Sequence, residues 1–205
     1  MARTATQGSR ERILASAGAL FYQHGVRAVG MSQVIVAAGC GKNLLYTHFA
    51  SKNDLVAEYL RSCRTERDRL SAAAMAAVAG GDSATRLLEF VAEIATTVAR
   101  PEFIGCAFRR YLAEFPHDVS EPARVARSYL RDTRAELDWL VAALCATDTD
   151  RLADRIWLVV EGLYASAANG GEAALSGAIA VGLVEELVND AVATAQASSQ
   201  ARSAT

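Results

Sequence analysis

The sequence predicts an all-α protein of about nine helices: a small three-helix N-terminal head containing a helix-turn-helix, then a larger helical bundle. Three observations lead to this class. Apolar residues recur at helical spacing in many segments, no segment alternates with strand period over a useful length, and glycines and prolines punctuate the periodic stretches. At 205 residues the chain has room for one small and one larger domain.

The head comes first. Ile13, Ala17, Leu20 and Phe21 fall at i, i+4, i+7 and i+8, an apolar stripe on one helix face. Ser9 can cap that helix, and Gly25 lies just past its end, where a left-handed residue is needed. Val34, Ile35, Ala37 and Ala38 form a second, short apolar-faced helix stopped by Gly39. A third helix follows Gly41, with inward Leu45 and Phe49 and outward Lys42, Asn43, Tyr46 and Thr47. A helix of two turns is marginal alone in water, so its neighbours must hold it. Helix, glycine turn, short helix is the helix-turn-helix unit, whose second helix enters the DNA major groove.

The body reads as further helices. One runs from Ser51, with a Ser-x-x-Asp start, to about Val78, where Gly80-Gly81 ends it. Others are expected at about 83–98, at 102–115 between Pro101 and Pro116, at 120–145, at 149–168 and at 172–195. Asn169-Gly170-Gly171 separates the last two. The expected organisation is a head over 1–50, with its helix-turn-helix at about 30–49, a body over 51–195, and a frayed tail over 196–205.

Charge is unevenly spread. Through residue 52, Arg3, Arg10, Arg12, Arg27, Lys42 and Lys52 face Glu11 alone, a balance of +5. The whole chain is −2, so the remainder carries −7. A basic head on an acidic body points to a polyanion partner for the head.

Other chemistry is missing. Cys40, Cys63, Cys106 and Cys145 form no CxxC pair, and His24, His48 and His117 make no metal-like cluster. There is no phosphate-cradling glycine loop. No enzyme, cofactor or metal is therefore expected. The apolar window from Ala173 to Val184 is too short to span a bilayer, so no membrane partner is expected. With no secretion signal, free thiols in a reducing cytoplasm are the expectation.

The pattern Arg12-Ile13-Leu14-Ala15, Leu20-Phe21, Gly25-Val26, Ala37-Ala38-Gly39, then Leu45-Tyr46-Thr47-His48-Phe49-Ala50-Ser51-Lys52-Asn53-Asp54-Leu55 resembles the DNA-binding domain of the TetR/AcrR family of bacterial transcriptional regulators. The resemblance covers about residues 9–60. It implies a homodimer on a double-stranded DNA operator, most often as a repressor, with a small-molecule effector bound in the body. On this resemblance Tyr46 and His48 contact phosphate, and Lys52 adds a charge at a helix start. Lys42, Asn43 and Thr47 are the base-edge candidates, since Lys can donate to guanine and Asn can pair with adenine. Ser32 and Gln33 open the second helix and are expected at phosphate or a flanking base. Gly30, Gly41 and Leu44 stand where family members carry hydroxyl residues, which moves more of the clamp onto Tyr46, His48 and Lys52.

The last two helices resemble the family's dimerisation pair. Leu152, Ile156, Val159, Leu163 and Ala167 make one stripe, and Ile179, Leu183, Leu187 and Ala191 make another. Leu152, Ile156, Leu163, Ile179, Leu183 and Leu187 are the dimer candidates. Effector-site candidates are the aromatic and polar residues of the body: Arg64, Phe90, Cys106, Phe108, Arg109, Trp139, Trp157 and Glu161. Two function classes stay open: a ligand-responsive DNA-binding regulator, and a helical ligand-binding or interaction protein whose head has lost DNA affinity.

Overall fold

In the computed structural model the backbone is described for residues 2–168 and 173–203, with side chains for 8–168, 176–198, 200 and 201. These residues form nine helices and no strand. They divide into two compact units, residues 1–67 with 106–130, and 68–105 with 131–205.

The first unit opens with α1 (Ala2–His24). The helix begins well before Ser9, which lies inside it rather than at its cap. Ile13, Ala17 and Phe21 are buried at four-residue spacing, and Leu20 sits half-buried beside them. Gly25 ends α1 with φ of 82°, its amide bonded to the Phe21 carbonyl. Next come α2 (Met31–Ala37) and α3 (Lys42–His48), each packed on α1 and on each other. Gly39, with φ of 56°, turns the chain between them. Val34 and Leu45 are fully buried, and Phe49 seals the end of α3.

The 26-residue helix α4 (Lys52–Ala77) supplies Leu55, Val56, Tyr59 and Leu60 to the same core. Its start is capped as the Ser-x-x-Asp pattern predicts: the Asp54 amide donates to Ser51 Oγ at 3.1 Å. The unit reaches beyond the expected 1–50 head. It takes in α6 (Ala107–Glu114) and the first part of α7 (Glu121–Ala142), because Phe108, Tyr111, Ala123, Ala126 and Tyr129 belong to the same buried cluster. Phe108 stacks on Tyr129, with centroids 3.9 Å apart.

In the second unit, α5 (Ser83–Val98) starts at Asp82, whose side chain accepts from the Thr85 amide at 2.8 Å. Its buried face, Leu87, Phe90, Val91, Ile94 and Val98, packs on α8 (Thr149–Ala168) and α9 (Ala173–Ser203), which also pack on each other. Leu137, Leu140 and Val141 of α7 are buried in this unit as well.

Two further expectations change. The helix expected over 102–115 begins only at Ala107: Gly105 has φ of 123°, Cys106 is the N-cap, and residues 99–106 are irregular. The Gly105-Cys106 pair is therefore a helix entry and not part of a helical turn. The segment expected as a tail continues α9 to Ser203, helped by its alanines, and the Thr194 and Ser198 hydroxyls donate to carbonyls four residues back. The Asn169-Gly170-Gly171 break lies outside the described residues.

Candidate nucleic-acid interface

The outward side of α3 is built by exclusion. Leu45 is fully buried and Phe49 is 2% exposed, so the side that carries them is turned inward. Lys42, Asn43, Tyr46 and Thr47 are all exposed there. Thr47 Oγ1 donates to the Asn43 carbonyl at 2.8 Å, which orients its methyl and oxygen along the helix. Four side chains of three chemistries, a cation, an amide and two hydroxyls, thus share one exposed surface. That mixture suits base edges and phosphates alike.

His48 and Gln33 also make contacts within the head. His48 is half-buried at i+3 from Leu45, its ring 6.4 Å from that of Phe49, and its Nε2 is buried without a hydrogen-bond partner. It leans toward the core edge of α3. Gln33 is exposed, yet its Oε1 accepts from the Gly30 amide at 2.6 Å. Gly30 has no side chain to cap α2, and Gln33 reaches back to satisfy the amide instead. Ser32 is exposed and keeps its place at the start of α2. Sequence reasoning did not single out Val36, which is 81% exposed at i+4 from Ser32; a valine out of phase with the buried Val34 was the available signal.

The basic balance of the head is largely used internally. Arg10 pairs with Glu58 and lies over the Phe49 ring, 5.1 Å from its centroid. Arg12 Nε donates to the Ala38 carbonyl at 3.1 Å, tying α1 to the end of α2. Arg27 donates to the Glu114 carbonyl and lies over Phe115. Arg3 is among the residues whose side chains are not described. Lys42 and Lys52 remain without an ion pair among the described residues. Burial holds the half-buried Lys52 ammonium below its ordinary range, and the nearby Glu114 carboxylate partly offsets this.

The effector candidates fall in both units. Arg64, Cys106, Phe108 and Arg109 belong to the first, where Arg109 reaches Cys106 Sγ at 3.7 Å and Phe108 is committed to the stack with Tyr129. Phe90, Trp139, Trp157 and Glu161 belong to the second. There Phe90 is core, Trp139 is 63% exposed, and Trp157 lies under Arg134, which also pairs with Asp138 and Asp154.

The dimer candidates also divide. Leu152, Ile156, Leu163 and Leu187 are buried within the unit, because α5 and the α8–α9 contact cover that side. Ile179 and Leu183 are exposed, and with Leu158, Val159 and Gly162 they line an open groove of about 420 Å3 between α8 and α9. Among the described residues no cluster of metal-ligating side chains occurs, and no helix is long and apolar enough to cross a membrane.

The sequence signature described as "Bacterial regulatory proteins, tetR family" matches residues 13–59, from within α1 to the early part of α4. No curated protein matches the chain. Among solved structures, a TetR-family transcriptional regulator from Streptomyces coelicolor superposes with a TM-score of 0.81 at 23% identity, over 90% of this chain and 96% of that one. A transcriptional regulator from Saccharomonospora viridis, solved in complex with choline, shares the fold at TM-score 0.67 and 19% identity, over 90% and 95% of the two chains. A TetR transcriptional regulator from Streptomyces avermitilis is 31% identical over 89% of this chain and 97% of that one, at TM-score 0.73. With that identity over nearly the full length and the signature on its head, the chain belongs to the TetR family of bacterial transcriptional regulators: it is a DNA-binding regulator, not an enzyme.

Proposed function

We propose that the protein acts in the cytoplasm as a homodimeric repressor on a palindromic operator, and that a small ligand in the helical body releases it. The observation that carries the DNA reading is the exposed face of α3, where Lys42, Asn43, Tyr46 and Thr47 stand over a buried Leu45 and Phe49. Lys42, Asn43 and Thr47 read base edges, while Tyr46 and Lys52 hold phosphate, with Ser32 at the flank. His48 and Gln33 contribute mainly by shaping α3 and α2.

Dimerisation is supported by the exposed apolar groove of Leu158, Gly162, Ile179 and Leu183, a surface that monomeric proteins seldom leave uncovered. A two-fold pair also meets the demand of specificity, because one short helix reads too few base pairs, whereas two heads read two half-sites about one DNA turn or more apart. Ligand release is supported by the aromatic content of the body and by the choline seen in the Saccharomonospora regulator of the same fold. A ligand acts here by binding one spacing of the two heads better than the other.

The test is selection of bound genomic fragments followed by a mobility-shift assay on the tightest one. A shift that is sensitive to salt and lost in a Tyr46→Ala variant supports the reading. No shift at low salt from a folded dimer refutes it and leaves the helical ligand-binding class.

A further inference from the structure

The turn between α1 and α2 is held by a residue far away in sequence. Glu114, the last residue of α6, accepts from the Val26 amide through Oε1 at 3.1 Å and from the Arg27 amide through Oε2 at 2.6 Å. Its own carbonyl accepts from the Arg27 guanidinium, which lies 4.8 Å over the ring of Phe115. One turn earlier on α6, Arg110 donates to the Tyr22 carbonyl near the end of α1 and lies 5.5 Å from the centroid of the Tyr22 ring. All of these residues lie in the first unit.

The turn is shaped for that carboxylate. Gly25 adopts φ of 82°, so the next two amides converge on one point, a small anion-binding nest formed by successive N–H groups. A Cβ on Gly25 would stand 2.8 Å from Glu114 Oε1, so the carboxylate occupies the space that a side chain would take. Buried Val26 and Val29 follow directly and lead into α2, which packs against α3. Glu114 also acts through space on Lys52, the cation placed at the DNA backbone. The carboxylate therefore holds the support of the reading helix and acts through space on a member of its clamp.

We propose that Glu114 is a positioning residue for DNA recognition: by filling the nest of the α1–α2 turn from α6, its carboxylate sets the pose in which α2 and α3 meet the groove. This role rests on the DNA reading of α3 given above. The carboxylate makes no contact with DNA itself; it fixes the turn from which the two helices leave. It also lowers the positive field beside Lys52, so its loss weakens selective binding and leaves general attraction to DNA intact or raised.

The experiment compares wild type, Glu114→Ala and Glu114→Gln by two readouts. Amide hydrogen exchange at Val26 and Arg27 is measured without DNA. Dissociation constants are measured at one salt concentration for the tightest duplex from a random-sequence pool and for a scrambled duplex of equal composition. In Glu114→Ala both amides should exchange about tenfold faster or more, since charge-assisted hydrogen bonds are lost. The ratio of selected to scrambled affinity should fall by about tenfold, with scrambled affinity unchanged or higher. Glu114→Gln keeps the volume and one acceptor oxygen and should lie between; it also carries both readouts if the alanine variant does not fold. Unchanged exchange at both amides overturns the proposal. Faster exchange with an unchanged affinity ratio also overturns it, leaving Glu114 as a structural brace only. A wild-type chain that prefers no duplex refutes the DNA reading and this role with it, while the exchange measurement still reports whether Glu114 holds the turn.

Discussion

Two glycines of the head share a left-handed backbone but differ in surroundings, and that difference can be weighed. Gly25 and Gly39 have φ of 82° and 56°. Alanine at either site should cost about 1–2 kcal/mol for the left-handed conformation alone. At Gly39 nothing lies within 4 Å of the added Cβ, so the cost should stop there. At Gly25 the Cβ meets Glu114 Oε1 at 2.8 Å. A glutamate tip can swing aside, so the penalty is not a rigid clash but the loss of the bonds that the carboxylate accepts from Val26 and Arg27. Bonds to charged groups contribute about 1.5–3 kcal/mol, which brings Gly25→Ala to about 2.5–5 kcal/mol. Urea unfolding of wild type, Gly25→Ala, Glu114→Ala and the double variant measures this directly. Once Glu114 is gone, Gly25→Ala should cost no more than Gly39→Ala, a coupling of about 1.5–3 kcal/mol. Equal costs at the two glycines in the wild-type background, or additivity within about 0.5 kcal/mol, would refute the reasoning.

Other expectations follow from the packing and the titrating groups. Leu45→Ala, at a fully buried site of a two-turn helix, should cost about 3 kcal/mol in urea unfolding, whereas Val36→Ala, 81% exposed on α2, should stay within about 0.5 kcal/mol. Burial pushes the Cys63 thiol up to about 11, so its neutral form stabilises the fold fully below the unfolded value of about 8.5. That stability is lost as pH rises from there through 11; about 3 kcal/mol is involved, and Cys63→Ala should flatten the decline between about pH 8.5 and 10 in pH-dependent unfolding. Ile179→Glu, placed in the exposed α8–α9 groove, should turn a dimer into a folded monomer in sedimentation; a dimer that survives it places the interface elsewhere.

Much of the head was legible in the sequence because its signals are local. Gly25 and Gly39 mark left-handed turns wherever they occur, Ser51 caps the helix that it precedes, and the Ile13–Ala17–Phe21 spacing names a buried face directly. The helices at 83–98 and 149–168 were equally plain from their periodicity. Contacts between distant segments were not legible. Arg10, Arg12 and Arg27 count as basic charge in the sequence, yet each is spent on a partner at least 26 positions away. The grip of Glu114 on Val26 and Arg27 joins residues 87 or 88 apart, and no spacing rule announces it. The stripes on α8 and α9 were visible as stripes, but periodicity does not say what covers them. Leu152, Ile156 and Leu163 face the core of their own unit, while Leu158, one position out of phase, stands exposed with Ile179 and Leu183. Proline at 101 read as a helix start, whereas the left-handed Gly105 delays the helix to Ala107.

The measurement that bears most directly on the central claim is the salt dependence of binding to the selected duplex. Lys52 is the cation of the head's DNA face assigned to phosphate, and it carries no ion pair among the described residues, so a dimer brings about two such ammonium groups to the backbone. The slope of log affinity against log salt should then be at least as steep as about −1.8, from about −0.9 for each phosphate neutralised, and Lys52→Ala should make it shallower by about 1.8. A slope near zero, or one that Lys52→Ala leaves unchanged, would contradict the account.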